Sequence, residues 1–272
     1  MIIVPFYIST DDTIRVLENA LATLPRFNGR VLVAAQGTKD AVSDFRKRVS
    51  SPNVITIESN TRLGKWPAVG RCLSKLNGDE QWIAVFDGDG AFSGADLPQI
   101  VAPIMADGVA HTIGKRSNVY LSSIDEFSVH TRIYVEAFFN TLTLLVLKLH
   151  ETCEYHAFDI QCGFQAFSGT RVREIVSEDL PYYGGELALF HSTVSLRQRV
   201  VNVLVHDLKG GRSNYRVSEI VEQLLHLPFL RGVDHGTFTR AVQLVPELYP
   251  SWIDSVPAFE DEIRRVLKTA SR

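Results

Sequence analysis

Short apolar runs alternate with amphipathic segments along the first half of the chain. Apolar residues at helical spacing predict helices at 12–24, 39–49 and 96–105, and LGKWPAVGRCLSKL opens a further helix. The apolar runs predict strands, and strands that alternate with helices in this way predict a parallel sheet covered by helices. The predicted strands fall at residues 2–7, 31–35 and 53–59, within QWIAVFDGDG and within GVAHTIGKRS.

The second half of the chain has a different pattern. A long helix is predicted at 132–150, followed by a turn and a short strand within FDIQCGFQAFSGT. GGELALFHSTVSL predicts a helix, and QRVVNVLVHD predicts a strand that ends near His206. Residues 215–269 are mostly helical in pattern, with predicted breaks at Pro228, Gly232 and Pro246. We therefore expect an α/β protein with a doubly wound, mostly parallel sheet and a helical C-terminal extension.

The predicted helix at 132–150 has an unusually broad apolar face, which allows two interpretations. AFFNTLTLLVLKL is typical of a core helix that is apolar all round because it is buried. The same pattern suits the lipid-facing element of a peripheral membrane enzyme. The core interpretation is favoured.

Composition indicates a soluble globular protein. Of the 272 residues, 45% are hydrophobic and 22% charged, and a net charge of -3 leaves no basic footprint for nucleic acid. No apolar run reaches the roughly 18 residues of a membrane span, and the N-terminus lacks the basic region of a signal peptide. Cys72, Cys153 and Cys162 have no CxxC spacing, which argues against a disulfide framework and for a reducing compartment. A cytoplasmic location is expected.

The predicted central strand WIAVF ends abruptly at Asp87-Gly88-Asp89-Gly90. Doubly wound sheets bind their ligands at the carboxyl ends of the strands, which is where this turn falls. Two carboxylates spaced by glycine suit a hard divalent cation held together with phosphate oxygens, and the glycines let a diphosphate approach the backbone. An ordinary turn is the alternative, because Asp and Gly are common turn residues.

Other polar residues follow predicted strands or open predicted helices. Lys65 lies in a basic loop that opens a helix and suits a phosphate or a base, while Arg116 follows a strand and suits bidentate contact with phosphate. Both are also compatible with solvated basic loops. Asp159 and Gln161 lie in a tight polar segment before an aromatic residue, and Glu186 begins a helix after a glycine pair.

The order of these segments resembles the family 2 glycosyltransferases with the GT-A fold. It is most similar to the dolichyl-phosphate (polyprenyl-phosphate) mannose and glucose synthases. The resemblance is carried by IIVPFY, NTRLGKWPAVGRCL, AVFDGDG, IGKRS and, most selectively, FDIQCGFQAFSGTRVREI followed by GGELALFHSTVSLRQRVVNVLVHD. It covers roughly residues 1–215, so we expect a GT-A domain at 1–215 and a helical extension at 216–272 packed on the same domain.

The resemblance implies that a nucleotide-diphosphate sugar binds across the carboxyl ends of the first strands. Asp87 and Asp89 match the D-x-D motif of the family, and Asp89 would bind Mg²⁺ or Mn²⁺ most directly. Arg116 would contact the donor diphosphate or the acceptor phosphate, and Asp159 would face the sugar. Glu186 stands where the family often has a catalytic acid-base residue. The remaining residues expected at the donor or the acceptor loop are Pro5, Tyr7, Gln36, Lys65, Gly88, Gln161, Arg212 and Ser213.

Several positions depart from the family pattern. The acidic pair that reads the base and ribose is replaced by Ala35 and Gln36, so Gln36 is left to contact a base edge. In the first loop, Asp11 or Asp12 would substitute for the usual acidic residue. His206 is a candidate third metal ligand, by analogy with some GT-A enzymes, and His191 is a weaker one.

The expected reaction is metal-dependent transfer of a hexose from a UDP-glucose or GDP-mannose type of donor, with inversion. The acceptor is a hydroxyl or a phosphate, and polyprenyl phosphate is one candidate. Peripheral contact of the protein with the cytoplasmic face of the membrane is left open. A hydroxyl acceptor needs a base, for which Glu186 is the candidate, whereas a phosphate monoester with a second pKa of about 6 needs none. The alternatives are a catalytically silent sugar-nucleotide or glycan-binding protein, a retaining transferase and a nucleotidyltransferase. The nucleotidyltransferase alternative is disfavoured because this chain lacks, after IIVPFY, the Gly-rich phosphate loop of that class.

Overall fold

A seven-stranded sheet forms the centre of the protein, with the strand order β3-β2-β1-β4-β6-β5-β7. The computed structural model describes residues 1–7, 11–23, 30–49, 51–61, 63–85, 87–88, 91–116, 127–175, 184–206, 221–222, 224–253 and 255–270. The strands are β1 (Ile2–Tyr7), β2 (Val31–Gln36), β3 (Val54–Ser59), β4 (Trp82–Val85), β5 (His111–Arg116), β6 (Gln165–Ser168) and β7 (Val200–Val205).

Helices cover both faces of this sheet. Successive residues of a strand point to opposite faces, and accordingly Ile2 and Val4 of β1 join the larger apolar core while Ile3 joins the smaller one. The α-helices of the described residues are α1 (Asp11–Thr23), α2 (Lys39–Arg48), α3 (Lys65–Leu73), α4 (Leu97–Asp107), α5 (Phe127–Val146), α6 (Val172–Ile175), α7 (Gly185–Ser195), α8 (His235–Leu248) and α9 (Val256–Ala270).

Strand direction decides which residues meet at one edge of the sheet. β1 pairs in parallel with β2 and β4, and β5 pairs in parallel with β7. β6 lies between β4 and β5 and is antiparallel to both. The segment that precedes β6 therefore reaches the same edge as the segments that follow β4, β5 and β7. We call this edge, at the carboxyl ends of the parallel strands, the site edge.

The predicted α/β, doubly wound and mostly parallel architecture is confirmed, including the fully buried β4. The predicted breaks at Pro228 and Gly232 are also present, as a 3-10 turn at Pro228–Leu230 and a glycine with a φ of 80°. The break predicted at Pro246 is wrong, because Pro246 lies inside α8. Proline removes one helical hydrogen bond, but Val245 and Leu248 beside it are buried, and their packing keeps the segment helical.

Helix α5 is a core helix, so the lipid-facing interpretation of this segment is wrong. Every residue from 133 to 144 is buried, including the polar Glu136 and Asn140. Helices α7, α8 and α9 pack against α5 and cover its apolar surface. Within the part of the chain that the structure describes, no helix is both long enough and apolar enough to cross a membrane.

The described part of the C-terminal segment contacts α5 and the turn after it. Thr131 of α5 donates a hydrogen bond to Glu262 of α9. The buried Tyr249 hydroxyl donates to the Phe158 carbonyl, and the backbone of Ala157 donates to the carbonyl of Leu248. These contacts tie residues beyond α7 to the segment that leads into β6.

Candidate active site

The site edge brings together most of the polar residues singled out in the sequence. Asp87 and His206 follow β4 and β7, Arg116 is the last residue of β5, and Asp159 and Gln161 precede β6. Asp89, Arg212 and Ser213 fall outside the described residues, as do the side chains of Tyr7, Asp11 and Asp12. The remaining side chains form two charged clusters and a histidine–carboxylate pair.

The first cluster is centred on Lys65, at the start of α3. Its Nζ lies 2.9 Å from Asp87 Oδ1 and 2.8 Å from Glu186 Oε1, and it also donates to the Gly163 carbonyl. Burial alone lowers the pKa of Lys65, but the two carboxylates outweigh it and raise the pKa above its ordinary value of 10.5. A permanent cation therefore holds the D-x-D carboxylate and the candidate acid-base carboxylate together.

Two glycines allow this cluster to form. A Cβ at position 163 would lie 2.0 Å from Asp87 Oδ2, so only glycine leaves room for that carboxylate. A Cβ at position 185 would lie 2.0 Å from the indole ring of Trp66, so the glycine lets α7 begin directly against α3. Because Glu186 is the next residue, this close packing of the two helices brings its side chain to Lys65.

The second cluster is centred on Arg116, at the end of β5. Its Nε and Nη2 donate to the two oxygens of Asp159 at 2.7 Å each, and Nη2 also donates to Glu136 at 2.9 Å. Glu136 in turn accepts from Arg132, one turn earlier on α5. The Asp159 side chain is fully buried and the Arg116 side chain is 9% exposed. This guanidinium, expected at a phosphate, is thus engaged by two protein carboxylates.

Neighbouring amides hold the second cluster in place. The backbone of Asp159 donates to Asn202 Oδ1, while the Asn202 amide donates to the carbonyls of Ile113 and Gly114 on β5. Gln161 donates to the Glu136 carbonyl and to Asn140 Oδ1 on α5. The Gln161 amide group is therefore directed at α5, and it braces the segment that was expected to face the sugar.

The residues expected at the nucleotide have different surroundings. Pro5 is buried within β1, opposite Ala34 of β2. The buried Gln36 accepts hydrogen bonds on its side-chain oxygen from the backbone of Leu63, at 2.6 Å, and of Gly64, at 3.0 Å. Gln36 therefore shapes the loop that presents Lys65, and this is the role its geometry supports. Gly88 is buried next to Asp87.

His206 pairs with Asp96, which lies just before α4. The His206 backbone donates to Asp96 Oδ2 at 2.7 Å, and His206 Nδ1 lies 2.9 Å from Asp96 Oδ1. The Asp96 side chain is 6% exposed, whereas the His206 side chain is 69% exposed. His191, the weaker candidate, stacks on Phe229 with ring centroids 4.3 Å apart, as a packing residue does.

The side chains at the site edge fit a divalent cation in their chemistry. Asp87 supplies a carboxylate for which Gly163 leaves space, and His206 supplies an imidazole whose other nitrogen already faces a carboxylate. Among the described residues, no three His, Cys, Asp or Glu side chains stand close enough to hold a metal. Asp89, which the sequence resemblance offers as a further ligand, lies outside that set.

Sequence reasoning missed Glu136, Arg132, Asn202 and Asp96. Glu136 had a detectable signal, since it is an acidic residue inside the apolar stretch RIYVEAFFNTLTLLV. Asp96 was placed at the start of a helix, where an aspartate is expected as a cap. Arg132 also had a local signal, since it lies one helical turn before Glu136. Asn202 had none, because its partners lie on other elements.

Comparison with known proteins gives a family and a fold. The model of the family described as Glycosyl transferase family 2 matches residues 1–161. No curated protein sequence matches the chain. Glucosyl-3-phosphoglycerate synthase from Mycobacterium tuberculosis, in complex with Mn²⁺, UDP and phosphoglyceric acid, matches at 14% identity with a TM-score of 0.59, covering 86% of this chain and 79% of that one.

Two further solved structures show the same fold. The same synthase in complex with Mn²⁺, UDP-glucose and phosphoglyceric acid matches at 15% identity with a TM-score of 0.58, covering 86% of this chain and 80% of that one. A mycobacterial protein matches at 15% identity with a TM-score of 0.60, covering 86% and 76%. These similarities confirm the GT-A type of fold.

Proposed function

Because the chain belongs to glycosyl transferase family 2 and is a glycosyltransferase, we propose that it moves glucose from UDP-glucose to a small phosphorylated acceptor. The observation that carries this proposal is the bridge formed by Lys65 between Asp87 and Glu186. Because Lys65 contacts both carboxylates, this bridge supports a single site in which Asp87 serves the donor and the metal while Glu186 serves the acceptor.

The donor half of the proposal uses the turn after β4. Asp87 and Asp89 would hold Mg²⁺ or Mn²⁺, together with His206. When bound, such a cation would neutralise the charge that builds on the departing diphosphate. The chain's own contribution is to fix Asp87 between Lys65 and Gly163 before the donor arrives, so that no reorganisation is needed during transfer.

The acceptor half of the proposal uses Glu186. An acceptor hydroxyl must lose its proton as its oxygen attacks the anomeric carbon, and Glu186 would take that proton, with inversion at the carbon. Lys65 orients the Glu186 carboxylate and balances its charge. With a phosphate acceptor, Glu186 would position the acceptor and would abstract no proton.

The acceptor class is proposed from the solved relatives. Two structures of the mycobacterial synthase contain phosphoglyceric acid, and another structure of that synthase contains glycerol 3-phosphate together with UDP-glucose. We propose for this chain a hydroxyl group on a comparably small phosphorylated acid. Polyprenyl phosphate, the acceptor of the synthases that the sequence resembles, is the second candidate. The FDIQCGFQAF segment carries that resemblance most selectively, so this acceptor is included in the test.

The test is a transfer assay with UDP-glucose and GDP-mannose as donors, with Mn²⁺. The acceptors are 3-phosphoglycerate, glycerol 3-phosphate and a polyprenyl phosphate in detergent. Product anomers are read by NMR, so that a retaining reaction is recognised. We expect turnover with UDP-glucose and a phosphorylated hydroxy acid, lost in Asp89→Ala and reduced at least about 100-fold in Glu186→Gln.

The matched control is Glu174→Gln, which neutralises an exposed carboxylate on α6. It should keep full activity. Full activity in Asp89→Ala would contradict the metal role of the turn. Binding of UDP-glucose without transfer to any acceptor would favour the silent sugar-nucleotide-binding alternative, and transfer to polyprenyl phosphate alone would replace the small acceptor.

A further inference from the structure

We propose that Asp96 is a positioning residue for His206, fixing the imidazole as the tautomer that presents Nε2 to the metal of the donor site. This inference rests on the proposed function, because it concerns the metal site of that reaction. It assigns a role to a residue that neither the D-x-D motif nor the strand ends point to.

The hydrogen bonds of Asp96 determine which ring nitrogen carries the hydrogen. An ionised carboxylate only accepts hydrogen bonds. His206 Nδ1, at 2.9 Å from Asp96 Oδ1, must therefore carry a hydrogen and donate it. In a neutral imidazole the lone pair is then on Nε2, and no hydrogen bond joins Nε2 to the residues that the structure describes. A metal-ligating histidine commonly has this arrangement, with its other nitrogen donating to a carboxylate.

Asp96 bonds to His206 where an aspartate at this position would usually cap the backbone of its own helix. Asp96 occupies the N-cap position of α4, where an aspartate usually accepts from the first turn of the helix, but its side chain makes no capping bond. Instead both carboxylate oxygens face His206, one its backbone and one its ring. The histidine is thereby held at two points, although its side chain is largely exposed.

The turn that carries Asp96 is itself wedged in place. A Cβ at Gly94 would lie 2.5 Å from the backbone nitrogen of Ala20, so the turn Gly94–Asp96 packs directly on α1. Asp96 is therefore fixed by the fold, while His206 follows the last residue of β7 at the site edge. Through its bonds to His206, Asp96 holds the exposed imidazole ring at the same edge of the sheet as Asp87.

The first experiment measures Mn²⁺ binding by electron paramagnetic resonance, in the presence of UDP, for the intact chain and its variants. We expect Asp96→Asn to lower Mn²⁺ affinity about 10- to 100-fold. The asparagine amide cannot accept from both the His206 backbone and Nδ1, so an NH₂ group facing Nδ1 would move the ring hydrogen to Nε2. His206→Gln, at an exposed side chain, should lower the affinity at least as much.

The matched control is Gln99→Leu. Gln99 donates to Asp96 Oδ1 at 2.8 Å from the other side, so its loss perturbs the same carboxylate but leaves both bonds to His206. We expect its Mn²⁺ affinity to stay within about 3-fold of the unmodified protein, since no metal ligand changes. Thermal melting without ligands identifies any variant that fails to fold.

A second readout needs no metal and no Asp96 variant. Long-range ¹H–¹⁵N correlation spectra distinguish the two neutral tautomers of a histidine ring, and the His206→Gln spectrum assigns the His206 signals. We expect the Nδ1–H tautomer in the metal-free protein. The Nε2–H tautomer, or unchanged Mn²⁺ affinity in both His206→Gln and Asp96→Asn, would overturn the inference.

The failure of the inference and the failure of the proposed function give different results. If Mn²⁺ binding is lost in Asp89→Ala but kept in His206→Gln, the metal site stands and the role of Asp96 falls. If the unmodified protein with UDP binds no Mn²⁺, the metal-dependent reaction and the role of Asp96 both fall.

Discussion

Gly163 faces Asp87 so closely that a Cβ at position 163 would lie 2.0 Å from Asp87 Oδ2. The two residues come from segments that flank different strands, β6 and β4, which are neighbours in the sheet. Gly163 also offers its carbonyl to Lys65, whose ammonium group contacts the other oxygen of Asp87. A single glycine thus leaves space for the carboxylate and helps to place its counter-ion.

Gly163→Ala should displace the Asp87 carboxylate and reduce the proposed glucosyl transfer about 100-fold, because a misplacement of about 1 Å can cost that much. The measurement is kcat/KM for UDP-glucose, together with Mn²⁺ affinity. Gly236→Ala is the matched control, because its Cβ would approach only Asp234 Oδ1 at 2.9 Å, in the first turn of α8. Unchanged kcat/KM in Gly163→Ala would show that Asp87 needs no such close approach.

Lys65→Met should remove a stabilising charge whose effect depends on pH. The pKa of Lys65 is raised above its ordinary 10.5 in the folded protein, so its stabilisation is complete below that pH and is lost as the pH rises toward the folded-state pKa. The difference in free energy of unfolding between the unmodified protein and Lys65→Met should therefore be constant through neutral pH and shrink above about pH 10.5. Urea unfolding at several pH values measures it.

Lys75→Met controls for the loss of a lysine, since Lys75 is exposed and lies outside the site. A difference for Lys65→Met that grows with rising alkaline pH would contradict the assigned ion pairs. Activity should be lost in Lys65→Met, because Asp87 and Glu186 would then repel each other across the site.

Arg116→Met should be among the most destabilising single substitutions at the site edge. It leaves the fully buried Asp159 and the 8% exposed Glu136 without the guanidinium that both face, and loss of one partner from a buried ion pair costs about 3–5 kcal/mol. The free energy of unfolding in urea measures this loss. Arg46→Met, which breaks an exposed pair with Glu58, should change it little. Equal stability of the two variants would show that the contacts of Arg116 with Asp159 and Glu136 do not stabilise the fold.

His111 should make the protein less stable in mild acid. Burial lowers the pKa of His111 to about 3, against a smaller opposing effect of its hydrogen bond with Gln165. The unfolded chain takes up a proton below about pH 6.5 and the folded chain does not, so stability falls as pH falls from there. His111→Phe removes this proton but keeps an aromatic ring against Phe167.

The comparison is made by urea unfolding at about pH 7.5 and pH 5.5. The unmodified protein should lose about 1 kcal/mol more than His111→Phe between these values. An equal loss in the two proteins would mean that His111 takes up a proton as readily in the folded protein as in the unfolded chain, so that its pKa is not lowered.

The sheet, its helices and the edge that carries the chemistry could largely be predicted from the sequence. Asp87 and Arg116 follow apolar strands, and the strand pattern alone places such residues at a common edge. The antiparallel direction of β6 was not predicted, because a strand of four residues carries no signal for direction. Yet this reversal is what brings Asp159 and Gly163 to the same edge as Asp87.

The partners of the charged residues could not be predicted. Lys65 and Glu186 are separated by 121 residues, and no local pattern indicates that they share a hydrogen bond. The expectation that Arg116 reaches a phosphate followed from its residue type, whereas its neighbours Asp159 and Glu136 determine where the guanidinium lies. The expectation that Gln36 reaches a base edge also followed from its residue type, whereas its position depends on a contact between the end of β2 and the loop before α3.

The charged clusters have a consequence for the order in which ligands bind. Lys65 and Arg116 each already face two carboxylates, so in the described part of the site an incoming diphosphate meets cations that are largely neutralised. The donor and a divalent cation should then bind as a thermodynamically linked pair. By reciprocity, whatever factor the cation adds to the affinity for the donor, the donor adds to the affinity for the cation. We therefore expect the donor without the cation, and the cation without the donor, to bind more weakly than the two together.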